Sequence, residues 1–282
     1  MILLSSLLVH AYALEPAYAD TNRLREADER FKAGQFGEAR RLYEILLKEE
    51  LDQQLYERLQ QTYHALGLAK QARALALRYR SAGFEDSWPG SWHCDMGMIA
   101  IQAGDIDELV THVDALSEID LSLRPRDSRT VECLAFHEVF VRRFDAAQRH
   151  LEWLAATEFP DDPPPNLAFL YLRQGRFEDA NHILSRAERN AAEAVAANPD
   201  DPEPHFELGE FAAMRGDAPR AVASLADAMN RGLGQTWWIY QLFDPESIPD
   251  PVFEPLYGHP DFEQMRASVV KNRTQMQEAQ SD

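Results

Sequence analysis

The chain has 282 residues, of which 47 are acidic and 28 basic, for a net charge of −19 at pH 7. That balance excludes a protein built to neutralise nucleic-acid phosphates and disfavours docking on anionic lipid. Hydrophobic residues make up 45% of the chain, the share of an ordinary folded protein, yet beyond the N-terminus no segment is apolar enough to span a bilayer.

Residues 1–19 read as an export leader. Met1 to Val9 is short and apolar, and Ala17-Tyr18-Ala19 before Asp20 has the form of a cleavage site. No Lys or Arg precedes the apolar run, and His10 and Glu15 interrupt or flank it. The expected location is periplasmic or secreted. The alternative is cytoplasmic, with a misassigned start or an amphipathic N-terminal helix in place of a leader.

From there a short pattern recurs. Gly34, Gly67, Gly104, Gly175 and Gly216 are each followed two places on by Phe36, Ala69, Ile106, Phe177 and Ala218, and three further by Ala39, Ala72, Leu109, Ala180 and Ala221. Arg142, Phe144 and Ala147 form a copy with arginine in the glycine place; successive turns lie 33, 37, 38, 33 and 41 residues apart. A period in this range denotes a repeat array.

Each turn joins two helix-period patterns. Tyr56, Leu59, Tyr63 and Leu66 precede Gly67, and Ala72, Leu75, Ala76 and Tyr79 follow it. Glycine ends a helix well because it takes positive φ without penalty, and Asp105 and Asp217 suit the next N-cap. The small residue five places past the turn allows close helix approach, with Phe36, Phe144 and Phe177 expected to wedge into the same crossing. The unit is a helical hairpin.

These features resemble the tetratricopeptide repeat. His205, Leu208-Gly209, Gly216, Ala221, Leu225 and Ala228 carry the resemblance best, followed by Tyr56, Leu59, Tyr63, Gly67, Ala72 and Ala76, and by Tyr171, Gly175, Phe177, Ala180 and Ala187. Leu109 departs from the family's small residue. The fold this implies is an all-α right-handed solenoid of about six hairpins over residues 20–233. Residues 234–282 then form a cap.

Pro160 to Pro165 and Pro199 to Pro202 fall between hairpins, where proline ends one helix and opens the next. The alanine-rich stretch from Glu178 to Asn198 predicts an elongated second helix in the fifth hairpin. After Gly234, Trp237, Trp238, Tyr240 and Phe243 cluster, and a final helix is expected from about Asp261 to Gln277. This tail resembles the closing segment of repeat domains in bacterial signalling proteins; its aromatic residues are expected to cover the last hairpin.

Chemistry is sparse. His137-Glu138 begins like a zinc-protease helix, but Val141 stands where the second histidine belongs. His93-Cys94 with His112 or His137 are scattered singles rather than closely spaced ligand pairs. Cys94 and Cys133 fall on first helices of adjacent hairpins. Helix axes about 8–10 Å apart, against a disulfide requirement of about 7 Å between Cα atoms, favour buried free thiols, with a disulfide as the alternative. No catalytic set, metal or cofactor is expected.

The resemblance implies that the first helices face a concave groove that holds a partner protein or peptide segment. The groove residues it gives are Met98, Ile101, Glu132, Phe136, Val139, Phe140, Phe169, Leu172, Arg173 and Phe206. Only Lys32 and Asn166 offer the chemistry by which family members grip a chaperone's C-terminal carboxylate, and they lie in distant repeats. The middle of the stripe is instead apolar, suited either to a partner or to burial within the chain. The expected function is a non-catalytic protein-binding scaffold; the alternative is a sensory or regulatory repeat domain.

Overall fold

The computed structural model describes residues 21–49, 53–83, 88, 90–122, 126–236, 238–239 and 243–278. The leader expected over residues 1–19 lies outside them, as do Trp237 and Tyr240. The chain is all-α. Its hairpins are α1 (Thr21–Lys32) with α2 (Phe36–Glu49), α3 (Gln53–Ala65) with α4 (Ala69–Ser81), and α5 (Ser91–Ala103) with α6 (Ile106–Ser122). They continue as α7 (Ser128–Phe140) with α8 (Phe144–Thr157), α9 (Pro165–Arg173) with α10 (Phe177–Ala197), and α11 (Pro202–Met214) with α12 (Ala218–Asn230). Each helix packs on its chain neighbour, and α5 packs on α7 and α9 on α11 across hairpins. This is a tetratricopeptide-like solenoid.

All six turns close in the same way. The residue after each turn donates its N–H to the carbonyl five back: Gln35 to Arg30, Leu68 to Tyr63, Asp105 to Ala100, Arg143 to Glu138, Arg176 to Tyr171 and Asp217 to Ala212, at 2.8–3.0 Å. This is the Schellman closure, which satisfies carbonyls a helix end leaves open. It needs a residue with positive φ, and the five glycines hold φ between 66° and 75°. Arg142 holds φ 60°, alone among the described non-glycine residues. The Asp105 and Asp217 carboxylates cap the next helices, accepting from the Glu108 and Arg220 N–H groups.

At the crossings Ala39, Ala72, Leu109, Ala147, Ala180 and Ala221 are fully buried. Leu109 fits where alanine was the rule. Phe36 is buried and Phe144 partly so, but Phe177 is 61% exposed, against expectation. Its ring folds back over the Gly175 turn instead of entering the crossing. The elongated second helix is α10, with 21 residues. Pro165 and Pro202 stand in the first turns of α9 and α11, where a missing N–H costs nothing. Tyrosines tie hairpins together: Tyr56 donates to Asp95 at 2.6 Å and Tyr63 to Glu44 at 3.1 Å.

Cys94 and Cys133 form a disulfide, with Cα atoms 6.0 Å apart. The free-thiol expectation is corrected. Axis separation overstates the distance between residues that face each other across two packed helices, and these two point together. The bond joins α5 to α7.

After α12 the chain makes a 3-10 turn (Leu233–Gln235), a second 3-10 helix (Pro251–Leu256) and α13 (Pro260–Glu278). This C-terminal segment does more than cover the last hairpin. The second 3-10 helix packs on α11 and α12, while α13 packs on α12 and reaches α2. With 19 residues, α13 is about 28 Å long, enough to run from the last hairpin back toward the first.

Candidate partner-binding groove

The first helices place the expected stripe on one face, and nearly all of that stripe is buried. Met98, Ile101, Phe136 and Phe140 join one core cluster with Phe206; Val139 and Phe169 join a second, against which Leu172 packs partly buried. The sequence left open whether this apolar face waits for a partner or is covered from within. The chain's own C-terminal segment supplies cover: Phe243, Phe253, Leu256, Phe262 and Val269 belong to the same cluster as Ile101, Phe136, Phe140 and Phe206, and Val252 to the cluster of Val139 and Phe169.

Three kinds of contact hold the segment. Aromatic packing comes first: the Phe253 ring lies 6.0 Å from Phe206, 5.9 Å from Phe243 and 6.0 Å from Phe262, while Trp238 meets Phe206 edge-on at 4.9 Å. Offset and edge-on pairs at such distances add to the burial of apolar area. Second, Ile248 donates its N–H to the Ile101 carbonyl at 2.8 Å, so main chain bonds main chain at the end of α5. The Glu246 carbonyl also presses on Gly104, leaving no room for a Cβ.

The third contact is ionic. Glu254 accepts from Arg142 at 2.9 Å and from Arg173 at 3.3 Å. These arginines hold the Glu254 carboxyl below its ordinary range, the Arg142 hydrogen bond contributing most. Arg173, half-exposed, also lies over the Phe144 and Phe169 rings at 4.3 and 5.6 Å. Further along, Arg273 pairs with the buried Asp244 and lays its side chain over Gly67. The contacted residues Gly67, Ile101, Gly104, Arg142 and Arg173 sit at the C-terminal ends of first helices or in the turns after them. The segment therefore tracks the row of turns.

The α11 end of the groove is acidic. Glu210 on α11 is buried, as is Glu132 on α7. Burial, then the Glu210 charge and that of Glu203, pushes Glu207 up to about 7. Asp250 is raised to about 6 by burial, with Glu210 adding to the rise, although the Val252 N–H it accepts opposes it. Carboxylates gathered in this way favour cationic groups.

Sequence reasoning proposed the stripe without naming Glu254, Asp250, Ile248 and Phe253 as its surroundings. Their signal was the tail's unusual density of aromatic and Asp-Pro residues, which says that the tail is buried without saying where.

With this geometry in place, comparison with known families adds one finding. Residues 166–232 match the family model for the tetratricopeptide repeat. The chain carries a tetratricopeptide repeat region. The match spans α9 to α12, the two hairpins whose first helices supply Phe169, Arg173, Phe206 and Glu210. Such repeats generally mediate protein–protein binding. No curated protein matches the chain. Among the described residues no helix is long and apolar enough to cross a membrane.

Proposed function

We propose that this protein is a non-catalytic binding scaffold whose concave face holds a segment of a partner protein, in competition with its own C-terminal segment. One observation supports the reading: the stripe residues are already covered by a segment of the chain itself, held through the Ile248 N–H and through Phe253 and Glu254 of the second 3-10 helix. A rigid row of helices presents side chains at fixed spacing, which suits a long peptide better than a small molecule. Phe136, Phe140 and Phe169 are the anchors of this surface, since buried aromatic residues dominate interface energies. Glu132, Glu207 and Glu210 favour a partner segment carrying basic residues, and such charges act on association rate and register more than on affinity.

The test compares three full-length proteins in cross-linking and capture: the natural chain, Phe253→Ala/Glu254→Ala, and that variant with Phe136→Ala/Phe169→Ala added. Release of the C-terminal segment is expected to expose the groove and increase capture of a protein partner. The added groove substitutions are expected to remove that gain while helicity is retained. The same partners at the same yield from all three would overturn the reading.

A further inference from the structure

We propose that Cys94, Cys133 and His137, once the two cysteines are reduced, form a three-ligand site for one thiophilic divalent metal ion of the Zn2+ class. Their ligand atoms all lie within 4.8 Å of one another. Cys133 and His137 stand four residues apart on α7, so one helical face presents both, and Cys94 enters from α5 across the packed pair. Two thiolates and an imidazole are a donor set that suits zinc, with the fourth tetrahedral position left to water.

Two further observations point to a ligand here. His137 is fully buried, its Nδ1 lies 3.4 Å from the Cys133 sulfur, and its Nε2 has no hydrogen-bond partner among the described residues. A buried polar nitrogen left without a partner is unfavourable, and a metal held through Nε2 would supply that partner. Gly97 is the second observation. It sits inside α5, where glycine is unfavourable relative to alanine, and a Cβ there would stand 2.6 Å from His137 Cε1. The glycine makes room for the imidazole beside the sulfurs.

The disulfide and the metal compete for the same sulfurs. A dithiol reductant supplies two electrons to the Cys94–Cys133 bond; that bond breaks, each sulfur leaves as a thiolate or takes a proton, and the reductant becomes a disulfide. Metal binding then sends any remaining thiol protons to solvent. The α5–α7 junction is thus held by a covalent bond when oxidised and by a metal bridge when reduced. The Phe136 ring lies 5.6 Å from the His137 imidazole, so the exchange takes place beside a residue of the expected stripe.

The test uses the full chain, reduced with dithiothreitol, freed of reductant without oxygen, and titrated with Co2+ as an absorbing stand-in for zinc. The expected result is one equivalent bound with a thiolate-to-cobalt charge-transfer band, absent from the oxidised protein and from Cys133→Ser. His137→Gln is expected to weaken binding about tenfold or more. X-ray absorption of the zinc-loaded natural chain, which needs no variant, is expected to read two sulfurs and one imidazole nitrogen. No charge-transfer band from the reduced protein would overturn the proposal, as would a zinc shell without sulfur or an affinity unchanged by His137→Gln.

Discussion

Arg142 donates to Glu254 at 2.9 Å from a left-handed backbone conformation that the five equivalent turns assign to glycine. The arginine gives up backbone comfort and gains a side chain that reaches the C-terminal segment. A non-glycine residue in this region costs of order 1–3 kcal/mol, and a half-exposed ion pair returns about 1 kcal/mol at most. The contact therefore offsets the backbone cost only at the low end of that range.

A double-mutant cycle makes this measurable. In the natural chain, Arg142→Gly is expected to change unfolding free energy little, since relief of backbone strain offsets loss of the Glu254 contact. In a Glu254→Ala background the same change is expected to stabilise by about 1 kcal/mol. Urea unfolding of the four proteins gives the coupling; equal effects of Arg142→Gly in both backgrounds would deny the relationship.

Gly104 and Gly216 form a matched pair. Both hold positive φ, but a Cβ on Gly104 would stand 2.5 Å from the Glu246 carbonyl, while one on Gly216 meets nothing within 4 Å. Gly216→Ala is expected to cost about 1 kcal/mol, from the backbone alone. Gly104→Ala is expected to cost roughly 2 kcal/mol or more, because it also pushes residues 244–248 off α5. Thermal or urea unfolding checks the difference.

Stability should respond to pH through Asp250. Its folded value near 6, against an ordinary 3.8, means the folded chain binds more protons than the unfolded one between those pH values. The contribution of Asp250 therefore falls as pH rises from about 4 through 6. Asparagine at 250 keeps an acceptor for the Val252 N–H and carries no charge beside Glu210. Asp250→Asn is expected to stabilise by on the order of 2–3 kcal/mol at pH 8 and by almost nothing at pH 4. His64 acts in the opposite sense. Burial holds it near 4 against an ordinary 6.5, while its bond with Gln102 works the other way. Its contribution is lost as pH falls from about 6.5 to 4. Melting temperatures of Asp250→Asn and the natural chain across this range separate the two groups.

The solenoid was legible in the sequence because each repeat makes its own case locally. A turn glycine, a small residue five places on and helix-period flanks are all read within some fifteen residues, and even Arg142 stood out as the sixth copy by its neighbours Phe144 and Ala147. The tail was legible only in part. Phe243, Phe253 and Phe262 announce burial, but nothing local to them names Ile101, Gly104 or Phe206 as their surroundings, since those contacts cross more than a hundred residues in some cases. The disulfide failed for a different reason: a rule about helix axes was applied to two side chains that face each other. Gly97 was the available clue, a glycine at a mid-helix position that has no use for one until His137 is placed against it.

The central claim is that the C-terminal segment occupies the groove, and hydrogen exchange on the full chain tests it most directly. The account predicts slow exchange at the Ile248 amide and across residues 251–257 in the natural protein. In Phe253→Ala/Glu254→Ala these sites are predicted to become fast, together with added exchange in α7 and α11 and unchanged protection in α3 and α4. Residues 244–257 exchanging in the natural chain as fast as an unstructured peptide, with α7 and α11 still protected, would contradict it.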